Sequence, residues 1–183
     1  CLKKYFSEFA LFKYRLMIEI EYLIYLKKIG LPELANMFSN KFYIIRNIYK
    51  TFSHSCCINI KDIESTINHD VKAVEYFLSE KMQKIGLSKY TSFIHFGLTS
   101  QDINNNSITL SIKNCIEEVI IPLIEDILKD LLEKSSNWKE YKMISHTHGQ
   151  PAVPTTMGKE IKVFHYRIDK QLQQLKNINY YGK

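Results

Sequence analysis

Between Gln101 and Asn137, Ile108, Ile112, Cys115, Val119, Leu123, Ile127 and Leu131 recur at intervals of three or four. That period gathers them on one face of a helix, and a rise of 1.5 Å per residue makes the rod about 55 Å long. A helix of this length cannot cover its own apolar stripe. It needs other helices, from the same chain or from another copy. Pro122 predicts a bend, because proline has no amide to donate and its ring crowds the preceding turn. Elsewhere breakers are scarce, with 6 Gly and 4 Pro in 183 residues, so further long elements are expected.

The same reading extends over most of the chain. From Tyr5 to Lys28, Phe9, Phe12, Leu16, Ile20, Leu23 and Ile24 form a helical stripe that ends in Lys27-Lys28 before Gly30. Leu31 to Phe38 and Lys41 to Ser53 read as shorter helices. Ser53 to Ile60 fits either a loop or a helix end, and Asp62 to Ile67 one or two helical turns. Val71, Val74, Phe77, Leu78 and Met82 define another stripe, for which Asp70 is the expected N-cap and Gly86 the stop. Lys142 to Thr156, which contains Pro151 and Pro154, reads as an irregular connection. Thr155 or Thr156 then caps a last helix carrying Ile161, Phe164, Ile168, Leu172 and Leu175. The expected fold is all-α: an amino-terminal helical domain over 1–100, then the opening long helices of a central helical bundle over 101–183.

Composition narrows the partners. No apolar run approaches the roughly 18 residues that span a bilayer, and the start has no signal-peptide core, so a cytoplasmic setting without membrane contact is expected. The net charge of +6 favours anionic ligands, but Lys and Arg are scattered and form no nucleic-acid-binding stripe. Cys1, Cys56, Cys57 and Cys115 have neither the spacing of a zinc site nor the density of a disulfide framework. They read as incidental or buried thiols.

Three polar clusters stand at element junctions rather than in apolar stripes: Asn68-His69-Asp70, Thr99-Ser100-Gln101-Asp102, and Ser145-His146-Thr147-His148-Gly149-Gln150. Taken singly, each has a plain structural reading. Asp70 and Ser100 serve as helix caps, His69 is a surface histidine, and His146 and His148 alternate on a strand-like connector with one of them buried. Taken together they suit chemistry on an anion. Histidines transfer protons near neutral pH, and hydroxyls beside free amides at a helix start hold carboxylates or phosphates. A His-x-His metal site lacks supporting carboxylates nearby.

Four segments carry a more specific likeness. They are Phe6-Ser7-Glu8-Phe9-Ala10-Leu11, Thr66-Ile67-Asn68-His69-Asp70-Val71-Lys72-Ala73-Val74-Glu75-Tyr76, Phe93-Ile94-His95-Phe96-Gly97-Leu98-Thr99-Ser100-Gln101-Asp102-Ile103-Asn104-Asn105, and Thr147-His148-Gly149-Gln150-Pro151-Ala152-Val153-Pro154-Thr155-Thr156-Met157-Gly158-Lys159-Glu160. In this order they resemble the adenylosuccinate lyase family of the fumarase/aspartase superfamily, over an amino-terminal portion of it. The resemblance implies elimination of fumarate from adenylosuccinate and from the succinylated carboxamide ribotide of purine synthesis. It implies His148 as general acid, with Thr147 on the substrate. Thr99 and Ser100 would hold the succinyl carboxylate end, and Asn68, His69 and Asp70 the nucleotide side. It implies a homotetramer in the full-length protein, a small-molecule nucleotide substrate, and no metal or organic cofactor.

The sequence departs from the family pattern in three places. His146 stands where the family commonly has Arg, so a titratable ring replaces a fixed cation. The family's Ser-Ser-x-Met-Pro-x-Lys-x-Asn loop, which bears the catalytic base, occurs nowhere in the 183 residues, nor does an Asp-Gly-Arg-Tyr piece before Tyr5. The isolated segment is therefore expected to be inactive. Two rival readings remain: a superfamily lyase of the argininosuccinate lyase or fumarase type, and a helical assembly module without chemistry.

Overall fold

The computed structural model describes residues 2–37 and 39–182. It is mostly helical, with one small hairpin, and no described helix is long and apolar enough to cross a membrane. The chain divides into two compact units. The first runs to Lys113 and takes in the tail from Tyr180; the second is Asn114–Asn179.

Unit one is organised around α2 (Glu8–Lys28). The sequence predicts one helix from Tyr5, but the structure breaks it at Ser7, after the short α1 (Lys3–Phe6). Ser7 is extended, and its hydroxyl accepts from the Ala10 amide at 3.2 Å. A side chain that satisfies a free first-turn amide starts a helix better than it continues one. Along α2, Phe12, Leu16, Ile20, Leu23 and Ile24 are all buried, and so are Arg15 and Glu19.

The segment 31–38, expected to be a helix, keeps only a 3-10 turn at Pro32–Leu34; its expected end, Phe38, lies outside the described residues. Pro32 suits a first helical position and Leu34 is buried in the core, but the stretch is too short to propagate. Next comes α3 (Lys41–Lys50), fastened to α2 by Arg46. Its Nε and Nη2 donate to the two carboxylate oxygens of Glu21 at 2.7 and 2.6 Å, and the Tyr49 hydroxyl donates to the same carboxylate. The ambiguous stretch after Ser53 is helical throughout, as α4 (His54–Ile67) capped by Ser53. Ile60, wholly buried in the core, selects helix over loop there.

In α5 (Asp70–Lys84), Val71, Val74, Phe77, Leu78 and Met82 are buried as the stripe predicts. A 3-10 segment, Ser88–Phe93, leads on to α6 (Ser100–Cys115). Ile103 and Ser107 are buried along α6, and the Ser111 hydroxyl donates to the Tyr5 carbonyl at 2.6 Å.

Unit two opens with a π-helical turn at Ile116–Ile120, directly before α7 (Ile121–Asn137). Pro122 accounts for its position. Pro122 has no amide to give to Glu118, and a wider turn relieves the crowding its ring would cause. The expected irregular connection is a two-stranded antiparallel hairpin, β1 (Lys142–Thr147) and β2 (Gln150–Thr156), with an irregularity between Ile144 and His146. Pro151 and Pro154 are tolerated because each strand of a two-stranded sheet has a free edge. The hairpin leads into α8 (Met157–Lys176), whose cap is Thr156, accepting from the Lys159 amide.

The three described cysteines are free thiols. At Gly158 the α7 end and α8 meet so closely that a Cβ would lie 2.3 Å from the Ser135 carbonyl oxygen and 2.7 Å from Lys139 Cα. Both obstacles are backbone and cannot swing aside. Gly158→Ala should therefore destabilise unit two by about 1–3 kcal/mol, the usual cost of overpacking, read as a lower urea midpoint with its slope unchanged.

Candidate functional site

The first polar cluster lies where α4 hands over to α5. Asn68 is the C-cap of α4, in the left-handed region at φ 54°, a conformation asparagine tolerates better than most side chains. Its amide donates to the Glu64 carbonyl at 2.8 Å. The N-cap of α5 is His69, not Asp70: the His69 Nδ1 accepts from the Lys72 amide at 3.1 Å. That bond leaves the ring proton to Nε2.

Asp70 is freed for another task. Its Oδ1 accepts from the Val71 amide at 2.8 Å, and its Oδ2 takes the Arg15 guanidinium at 2.6 Å. Partial burial pushes the Asp70 carboxyl up, but the Val71 amide and Arg15 outweigh it and hold it below the usual carboxylate range. Arg15 Nε also donates to the Asn104 side chain at 2.8 Å, so one buried cation ties α2, α5 and α6 together.

At the start of α6, the Thr99 amide and hydroxyl both donate to Asp102, at 2.8 and 3.0 Å, while the Asp102 amide returns a bond to the Thr99 carbonyl. The Asp102 carboxylate thus reaches back to the amide before the helix, which is half of a capping box, while the Thr99 hydroxyl donates to it instead of accepting from the Asp102 amide. The expected Ser100 cap is thereby corrected. Thr99 takes the cap position because its backbone precedes the first turn, and half-buried Ser100 becomes the first helical residue.

Sequence reasoning missed one part of this site. His95 adopts φ 59° and lies against wholly buried Glu19. Its Nδ1 is 2.5 Å from one Glu19 oxygen, and its amide donates to the other at 3.1 Å. Glu75 stands 3.9 Å from the same ring nitrogen and is held in turn by Lys72 at 2.8 Å. The bond to Glu19 holds the His95 pKa above its ordinary value against the opposing effect of burial. Burial likewise pushes the Glu19 carboxyl up, more than His95 draws it down. The available signal was Glu19 itself, a carboxylate set among the apolar positions Leu16, Ile20 and Leu23. Such a group must find a partner on folding.

Unit one thus brings Asn68, His69 and Asp70 to one end of α5, and Arg15 and the Glu19–Glu75 network join them to the segment from His95 to Asn104. Unit two holds the remaining predicted residues. Thr147 flanks the hairpin turn, and His148 with Gly149 forms its two-residue tip, at φ 50° and 75°. Two positive φ values in succession are what a type I′ turn requires. His146, Thr147 and His148 are all exposed, so the expectation that one of the two histidines is buried is not met. A two-stranded hairpin offers no second layer to cover either of them.

The family model for lyases matches residues 26–181. The chain belongs to this lyase family. Adenylosuccinate lyase of Dictyostelium discoideum is 49% identical over 95% of the chain, which corresponds to 38% of the relative's length. The enzyme of the same name from Escherichia coli strain K12 is 38% identical over the whole chain and 40% of its own length. The chain thus spans about 40% of the curated relatives it matches, as a partial-length homologue of adenylosuccinate lyases. Among solved structures, a fumarate lyase of Mesorhizobium sp. BNC1 superposes with a TM-score of 0.77 at 19% identity, over 100% of this chain and 42% of that one. A 3-carboxy-cis,cis-muconate lactonizing enzyme of Pseudomonas putida gives 0.74 at 15% identity, over 96% of this chain and 38% of that one. These two likenesses establish the fold.

The Asp70 pKa is lowered in the folded state, so the Asp70–Arg15 contribution to stability is present above the unfolded carboxyl value and lost as pH falls through the folded one. Asp70→Asn should therefore be less stable than wild type at pH 7. The gap between their urea midpoints should narrow at pH 3.

Proposed function

We propose that the protein carrying this chain is an adenylosuccinate lyase. It would release fumarate from adenylosuccinate to give AMP, and from succinylaminoimidazole carboxamide ribotide to give the carboxamide ribotide. The observation that carries this reading is the identity of 38–49% to adenylosuccinate lyases along nearly the whole chain.

The reaction removes a proton beside a carboxylate, breaks the carbon–nitrogen bond, and returns a proton to the departing nitrogen. His148 is the acid in this reading. A hairpin tip exposes its ring, and two-sided backbone pairing limits where the tip can move. Thr147 contacts the substrate beside it. Thr99 and Ser100 receive the succinyl carboxylate end at the start of α6, where free amides favour negative charge. The Thr99 amide and hydroxyl are already given to Asp102, so the amides that follow and the Ser100 hydroxyl, which has no partner among the described residues, carry more of this task. Asn68, His69 and Asp70 line the nucleotide side, with the His69 Nε2–H as a donor.

No metal or organic cofactor enters the proposed reaction, and the general base lies outside these 183 residues. The working protein is taken to be a cytoplasmic homotetramer. The exposed Leu123, Ile127 and Leu132 of α7, and Val163 and Phe164 of α8, favour further helices packing there.

Fumarate release, followed by absorbance, tests the reading. The full-length protein should act on adenylosuccinate, and His148→Ala should lower kcat by about 10²–10⁴-fold, the usual worth of a general acid. Release from argininosuccinate but not from adenylosuccinate would overturn it. The 183-residue chain alone should show no turnover in the same assay.

A further inference from the structure

The buried carboxylate of Glu19 does more than fill a place in the core. We propose that Glu19 is a positioning residue that fixes His95 in one orientation as an imidazolium, so that Nε2–H is left as a charged donor for a ligand acceptor. The inference deepens the lyase reading and rests on it only for what the ligand is.

Geometry carries it. Glu19 has no exposed surface, whereas the His95 side chain retains 13%. Both Glu19 oxygens are engaged by the same residue, one by the His95 amide and one by Nδ1. The amide bond holds the backbone at a positive φ that histidine seldom adopts, and the ring bond sets the side chain. Nε2 has no hydrogen-bond partner among the described residues. An apolar filler at position 19 would serve the core better, since a buried charge is strongly destabilising unless it is paired. A carboxylate there makes sense if its partner must be charged.

The groups facing the ring agree. Glu19 reaches it from α2, and Glu75 stands at 3.9 Å from α5. Lys72, paired with Glu75, opposes the charge on the ring, but less than the carboxylates favour it. Tyr22 of α2 donates its hydroxyl to the Phe96 carbonyl, fixing the next residue along. Two carboxylates against one engaged ammonium favour the protonated ring, the direction in which Glu19 also shifts it.

The test is nitrogen-detected NMR of the histidine rings in the full-length protein, with His95 assigned by its loss in His95→Asn. In wild type, both His95 ring nitrogens should carry protons at pH 7. In Glu19→Gln, which keeps the shape and a hydrogen bond, the His95 midpoint should fall by about one pH unit or more, a tenfold loss of proton affinity. On adenylosuccinate, the variant's deficit in kcat/KM should grow from pH 6 to pH 8. A merely structural Glu19 would give a deficit independent of pH. A wild-type His95 that titrates at or below its ordinary value overturns the proposal, even if Glu19→Gln does not fold. So does a midpoint that the substitution leaves unmoved. Failure of wild type to release fumarate would refute the lyase reading and leave the ring titration standing.

Discussion

The cost of burying charge shapes unit one more than any single apolar contact. α2 carries Arg15 and Glu19 on the same buried surface as Phe12, Leu16, Ile20 and Leu23. Neither charge can be left without a partner in that environment. Arg15 draws in Asp70 from the start of α5 and Asn104 from α6, and Glu19 draws in His95. The apolar stripes make these helices pack. The two charges decide which ends of them meet, and those ends carry the polar junctions.

A second consequence is that helix caps and site residues are the same residues. His69 and Thr99 cap α5 and α6, and Asn68 closes α4 in a left-handed turn. Capping supplies rigidity without adding structure, since a residue bonded to a first-turn amide cannot drift. It also consumes donors and acceptors. The Thr99 hydroxyl is committed to Asp102, whereas among the described residues the His69 Nε2 edge and the Ser100 hydroxyl have no partner. A junction therefore divides its polar groups between holding the backbone and meeting a ligand.

Unit two uses a different device. A tight hairpin with positive φ at His148 and Gly149 lifts a histidine onto a tip, and the strands behind it run straight into α8. Gly158 allows that helix to start against the backbone at the end of α7. The tip, the strands and the helix start form one short run of chain, so the placement of His148 depends on local pairing. This chain shares its fold with solved structures below 20% identity, which shows how little of it depends on particular side chains.

Periodicity was enough to read the helical class, the buried stripes of α2 and α5, the existence of α8, and the stop at Gly86, because burial on one side of a helix repeats every three or four residues. The polar junctions were legible for the same reason, as interruptions of that period. His-Gly flanked by alternating residues is a hairpin signal, but Pro151 and Pro154 masked it, because proline counts against a strand unless the strand has a free edge. The break at Ser7, the cap at His69 and the helix over 54–67 turned on which hydrogen bond or core contact won locally. The pairing of Glu19 with His95 joins residues 76 positions apart. No local pattern encodes such a pair. It exists because folding buries a carboxylate and leaves one histidine within reach.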